Sequence, residues 1–292
     1  MQVVKVTFGV LLFGICALFS LRFYGLSQRY QAYDHPVLKI PTPWVLAWGG
    51  DQSVSASHSR TALQAAYHLE GVMLAANIQI NANKHFFVVP VEYDLSKART
   101  DRKFIDLTDA EVGKLDLGDG KAPLPLEEFL ALYSERPVLL WVGDNVENID
   151  LRLEPILKKQ RHPQNILLHS EYDVVVKSLK KLLPEMLYGT GVGQRIRMLM
   201  LGSLWLETVS PLDGDFLIAP LKQQGVSAIS IELKDEVLRR QKVFILGPLN
   251  DIAANDQALA FGASAYLTAF PADLKNKLSA HSAGVDLSPA SL

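Results

Sequence analysis

Several side chains able to move protons or hold a cation stand near the ends of short apolar runs: Asp51, Glu92, Asp144, His169, Glu171 and Glu232. Carboxylates are hard oxygen donors suited to Ca2+ or Mg2+, and histidine exchanges protons near neutral pH. Gathered at one end of a fold, such groups would make a metal-assisted or acid–base site. Each taken alone reads first as a solvated loop residue. His169 and Glu171 are the pair to follow, because a barrel would turn them toward Asp144, although their spacing matches no metal motif. Gly189-Thr190-Gly191-Val192-Gly193 lacks both the Lys-Ser/Thr of a P-loop and the full Gly-x-Gly-x-x-Gly arrangement, so it reads as a turn before a helix.

Positioning these groups falls to an alternation of short apolar runs with segments of helical spacing, the pattern of repeated β–α units and a parallel sheet. Strands are expected at residues 44–48, 71–78, 86–91, 137–142, 165–169, 216–219, 228–232, 243–247 and 264–268. Helices are expected at 59–69, 108–115, 126–133, 149–159, 173–183, 194–207 and 251–261. The expected architecture is an α/β (β/α)8 TIM barrel over residues 44–280, with a doubly wound open sheet as the structural alternative. Residues 28–43, punctuated by Pro36, Pro41 and Pro43, read as a linker, and 281–292 as a flexible tail.

An apolar fraction of 49% and a charged fraction of 21% point away from disorder. A formal charge of -2 supplies no basic field for nucleic acid. Cys16 is the only cysteine, which excludes an intrachain disulfide and thiolate metal clusters. It lies in an uncharged run, residues 6–21, bounded by Lys5 and Arg22 and about 24 Å long as a helix. With an aromatic end at Phe23 and Tyr24 and snorkelling flanks, residues 1–27 read as a single-pass membrane anchor. Leu18-Phe19-Ser20-Leu21 is too bulky for signal-peptide cleavage, and the preferred orientation leaves the main domain outside the cytoplasm. The helix at 194–207 is apolar on many sides, with Arg195 and Arg197 at its start. It reads as a helix buried against the barrel, or as a membrane- or partner-contacting patch with both arginines at lipid headgroups.

Four segments carry a family resemblance. Gly71-Val72-Met73-Leu74-Ala75 resembles a Gly-Ile-Glu-Leu-Asp strand. Residues 104–116 are similar to an Asp-Leu-Thr-x-x-Glu-x-x-x-Leu-Asp helix, and Pro125-Leu126-Glu127-Glu128-Phe129-Leu130 to Pro-Thr-Leu-Glu-Glu-Val-Leu. Residues 261–271 resemble Leu-Gly-Val-Asp-Gly-Ile-Ile-Thr-Asp-Tyr-Pro. In this order they resemble the glycerophosphodiester phosphodiesterase (GDPD) family, a TIM barrel of the phospholipase C-like (PLC-like) phosphodiesterase type.

The resemblance implies hydrolysis of a glycerol phosphodiester by two histidines and a carboxylate-held Ca2+ or Mg2+. The family's first histidine and its phosphate-binding arginine fall on Trp48 and Gly49, and its Glu-x-Asp metal pair on Met73 and Ala75. Its second histidine falls near Pro90, and its last glutamate falls within residues 137–142, which contain no acid. These types can neither titrate nor hold a hard cation, so the implied member is degenerate, with no metal cofactor. The expected role is a membrane-anchored barrel that binds a lipid ligand or a protein partner, with no nucleic acid. The alternative is a hydrolase with a relocated site built from Asp51, Glu92, Asp144 and His169.

Overall fold

The computed structural model describes residues 2–91, 102–223 and 225–282. After an N-terminal helix α1 (Gln2–Ser27) the chain enters β1 (Trp44–Trp48), α2 (Arg60–Tyr67), β2 (Val72–Ile80), β3 (Phe86–Val88) and α3 (Asp109–Val112). There follow β4 (Leu124–Pro125), α4 (Leu126–Tyr133), β5 (Val138–Val142), α5 (Ile149–Lys158), β6 (Ile166–His169), α6 (Asp173–Leu182) and β7 (Leu187–Tyr188). The last part holds α7 (Val192–Gly202), β8 (Phe216–Ala219), β9 (Lys222–Gln223), β10 (Val226–Ser227), α8 (Ile231–Arg239), β11 (Val243–Leu249), α9 (Ile252–Phe261), β12 (Ala265–Thr268) and α10 (Pro271–Ser282).

Eight strands pair in parallel in the order β7-β6-β5-β2-β1-β12-β11-β8. A single parallel bridge from Gly189 to Phe216, with Thr190 N donating to Phe216 O at 2.7 Å, joins the two ends. The sheet is thus a nearly closed TIM barrel, as expected. Alternation along each strand makes two cores. Trp44, Leu46 and Trp48 of β1 join Met73, Ala75, Leu139, Leu167, Phe216 and Ile245 inside the barrel. Val45 and Ala47 face the helical shell with Leu63, Leu74, Phe129, Leu140 and Leu246.

Two expectations about strands are corrected. Residues 228–232 are not a strand: Ser230 Oγ accepts from Leu233 N at 3.1 Å and caps α8, and a capped turn cannot stay extended. The eighth barrel strand is instead the two-residue β7, too short to show a period. Residues 86–88 form a strand, but antiparallel to β2, so β3 and β4 make a flap beside the barrel wall. Within residues 28–43, mostly exposed, the turn Pro36–Lys39 sets buried Val37 against the interior cluster, and Trp44 Nε1 donates to Ile40 O at 3.0 Å.

The spanning helix is likewise not met: among the described residues, no helix is long and apolar enough to cross a membrane. The end of α1 docks on the barrel. Arg22 Nη1 donates to Glu207 Oε1 at 3.0 Å, Gly25 lies against Thr208 so closely that a Cβ would overlap it, and Arg239 Nη2 donates to Gly25 O at 3.2 Å. Upstream of that junction Leu12, Phe13, Ile15, Leu18 and Phe19 are exposed.

Candidate functional site at the barrel mouth

The C-terminal ends of the parallel strands open into a cavity of about 660 Å3, a volume suited to a small ligand. Its floor is aromatic. Trp48 ends β1 and meets Trp141 of β5 with ring centroids 5.3 Å apart; Trp141 meets His169, the last residue of β6, at 4.3 Å edge-to-face. Pro90, Ile218 and Pro220 continue the apolar wall. Opposite stand Glu171, Thr190, Arg195, Lys222 and Gln223.

Position 49 explains itself. Gly49 holds φ 66, and a Cβ there would overlap Ser57 Oγ and crowd His58 Nδ1. A guanidinium has no room, because the Ser57–His58 pair fills that side. His58, which sequence reasoning missed, is buried; its Nε2 accepts from Asn77 N at 3.0 Å and its Nδ1 lies 2.8 Å from Ser57 Oγ. Because a backbone N–H can only donate, the proton of the neutral ring sits on Nδ1 and is donated to Ser57. Gln52 Nε2 also donates to Ser57 Oγ, at 3.1 Å. His58 therefore cannot take the Ser57 proton, and the pair is a brace, not an activated nucleophile. Burial pushes the His58 pKa down to about 3. The only sequence signal was Ser59, whose side chain caps α2 and fixes the turn before it.

Met73 and Ala75 are buried in the interior cluster, at 5% and 0% exposure. Neither presents a hard donor, and among the described residues no group of three or more His, Cys, Asp or Glu could hold a metal ion. The residues present do not fit the divalent cation that the resemblance implies.

The other sequence-chosen groups disperse. Asp51 is buried and accepts from Ser53 N and Ser53 Oγ, at 3.1 and 2.6 Å, closing its own turn. Asp144 Oδ2 accepts from Ile80 N at 2.7 Å, and burial raises its pKa against that hydrogen bond. Glu232 is exposed in the first turn of α8. Glu92 lies outside the described residues. Only His169 and Glu171 line the mouth, and Asp144 does not join them. His169 is neutral: burial first, then the Arg195 charge, pushes its pKa down to about 3.

Arg195 follows the buried reading of its helix. It does not reach toward lipid: it is 4% exposed and faces the mouth, while Arg197 on the same helix is exposed. The turn at 189–193 does precede α7, which begins at Val192 with Gly191 as its cap.

A parallel barrel with its mouth at the strand C-termini defines the class: a TIM-type α/β barrel. Solved structures of glycerophosphodiester phosphodiesterases share it. A phosphodiesterase of Oleispira antarctica, in complex with the product sn-glycerol-3-phosphate, is similar at 16% identity and TM-score 0.65, over 82% of this chain and 97% of that one. A glycerophosphodiester phosphodiesterase of Parabacteroides distasonis is similar at 14% and 0.63, over 82% and 98%. A glycerophosphoryl diester phosphodiesterase domain of Mycobacterium tuberculosis is similar at 12% and 0.64, over 82% and 100%. No sequence-family profile and no curated protein matches the chain. At these identities the likeness is one of fold, and the chain has the GDPD-like fold.

Proposed function

We propose that the protein is a non-catalytic GDPD-like barrel that binds a small ligand in its mouth and is held at a membrane by α1. The observation that carries the first part is the replacement chemistry. Trp48, Met73 and Ala75 occupy the positions of a proton carrier and two metal ligands, and Ser57–His58 fills the space of the arginine. A general acid or base works best with a pKa near the operating pH. His58 and His169, both lowered to about 3, are poor proton carriers at neutral pH. The mouth nonetheless stays open at about 660 Å3.

The test is hydrolysis of a panel of glycerophosphodiesters by the full-length protein in detergent, with Ca2+, Mg2+ or Mn2+ and with chelator. The expected result is no turnover above a heat-inactivated control. Metal-dependent turnover abolished by Asp144→Asn or His169→Asn would overturn this reading in favour of a relocated hydrolase site.

Membrane attachment is favoured by a separate observation. Leu12, Phe13, Ile15, Leu18 and Phe19 of α1 are exposed, Arg22 of the same helix donates to the Trp205 carbonyl at 2.6 Å, and Met200, Leu204 and Trp205 are themselves exposed. Apolar surface of this extent on a basic-flanked helix suits a lipid interface. The full chain is expected to float with phosphatidylcholine vesicles in a density gradient. Full recovery in the lipid-free fraction would remove the membrane from the account.

A further inference from the structure

Arg195 is a permanent cation, 4% exposed, and forms no ion pair among the described residues. One guanidinium nitrogen, Nη2, donates to Gln223 Oε1 at 3.0 Å; the other, Nη1, is buried without a hydrogen-bond partner. Glu171 acts on this guanidinium only through its field, from beyond ion-pair distance, and burial outweighs it; a buried charge with one neutral hydrogen-bond acceptor is costly, and proteins tolerate it where an anion completes the site. The guanidinium lines the barrel mouth, where Lys222 adds a second cation and Glu171 a single carboxylate, so the polar wall carries net positive charge. His169 beside it is neutral and does not compete. Facing this wall is the floor of Trp48 and Trp141, which offers apolar area and no charge.

We propose that Arg195 anchors an oxyanion, a carboxylate or phosphate group, carried on an apolar body that lies against Trp48 and Trp141. The subsite is supplied by α7 and the β9–β10 hairpin, across the mouth from positions 48, 49, 73 and 75. It rests on the binding reading above and names the class of ligand. A guanidinium offers a planar fork of donors that matches two oxygens of one anion. The anion would engage the unpartnered Nη1, while the tryptophans select for the apolar remainder.

The experiment titrates the full-length protein in detergent with benzyl phosphate, benzoate, benzyl alcohol and inorganic phosphate, reading tryptophan fluorescence and calorimetric heat. Both aromatic anions are expected to bind, inorganic phosphate to compete with them, and benzyl alcohol to bind at least about tenfold more weakly. Arg195→Met, which keeps the length of the stem, is expected to weaken benzyl phosphate by at least about tenfold with its circular dichroism unchanged. Arg197→Met, which removes an exposed cation of the same helix that does not line the mouth, is expected to keep binding.

If Arg197→Met loses binding as fully as Arg195→Met, the effect is that of helix charge in general and the proposal falls. Equal binding of benzyl alcohol and benzyl phosphate by the unaltered protein overturns it without recourse to any variant. Stronger competition by dihexanoyl phosphatidate than by inorganic phosphate supports the subsite and assigns a lipid-borne anion; the reverse order supports it and assigns a free one. Turnover of a glycerophosphodiester would overturn the non-catalytic reading while leaving these binding results intact. Absence of anion binding would overturn the subsite alone.

Discussion

Gly49 shows why restoring a family residue type would not restore its chemistry. Its φ of 66 and the closeness of Ser57 and His58 penalise any side chain. Gly49→Arg is expected to lose roughly 2–5 kcal/mol from backbone strain and overpacking combined. Urea denaturation reads the loss, and Trp48→His combined with Gly49→Arg is expected to gain no phosphodiesterase turnover. The two buried histidines make a pH prediction at the same scale. Burial lowers both pKa values from 6.5 to about 3, so the folded state binds fewer protons than the unfolded chain between those values. Their contribution is present above the unfolded pKa and is lost as pH falls toward the folded one. Near pH 5 the loss is about 2 kcal/mol per histidine relative to neutral pH. Denaturant midpoints for the protein and for His169→Asn check this: the variant is expected to lose part of the acid slope. An unchanged slope would assign the acid sensitivity to other groups.

Among elements, the docking of α1 is the feature least visible in the chain. Arg22 reads as a flank of an apolar run, yet it ties the helix to Glu207, and Gly25 has room only because it lacks a Cβ against Thr208. Gly25→Val is expected to lift the end of α1 from the barrel and to expose residues 28–35 to limited proteolysis. A cleavage pattern identical to that of the unaltered protein would show that the junction tolerates the branched side chain. Strands longer than three residues with alternating or continuous apolar character were legible because periodicity reports burial directly. Strand β7 was not, since two residues carry no period and its place is set by Leu167 and Leu168 beside it. Residues 228–232 misled because Ala228 and Ile229 are apolar, while the cap at Ser230 begins a helix there.

For the whole molecule, the barrel is held by an interior cluster of apolar side chains that offer no hard oxygen donor, so metal is expected to contribute nothing to its stability. Addition of chelator is expected to leave the melting temperature unchanged, since a bound ion stabilises in proportion to its affinity. A drop on chelation, reversed by Ca2+ or Mg2+, would reveal a metal site built in part from residues outside those described.

The sequence by itself determined the barrel, its family likeness and the presence of Trp, Met and Ala, which carry no proton or hard donor, at positions 48, 73 and 75. Those follow from residue type, order and local period. Tertiary structure decided which polar groups meet. Asp51 and Asp144 turned inward to satisfy backbone and loop donors, so they never converge with His169. Arg195, on a helix that the sequence left either buried or at a lipid surface, points into the mouth because its position on α7 relative to β7 and β8 selects that face. A helical period fixes which residues share a face, but only the packing of the helix against its neighbours fixes where that face looks.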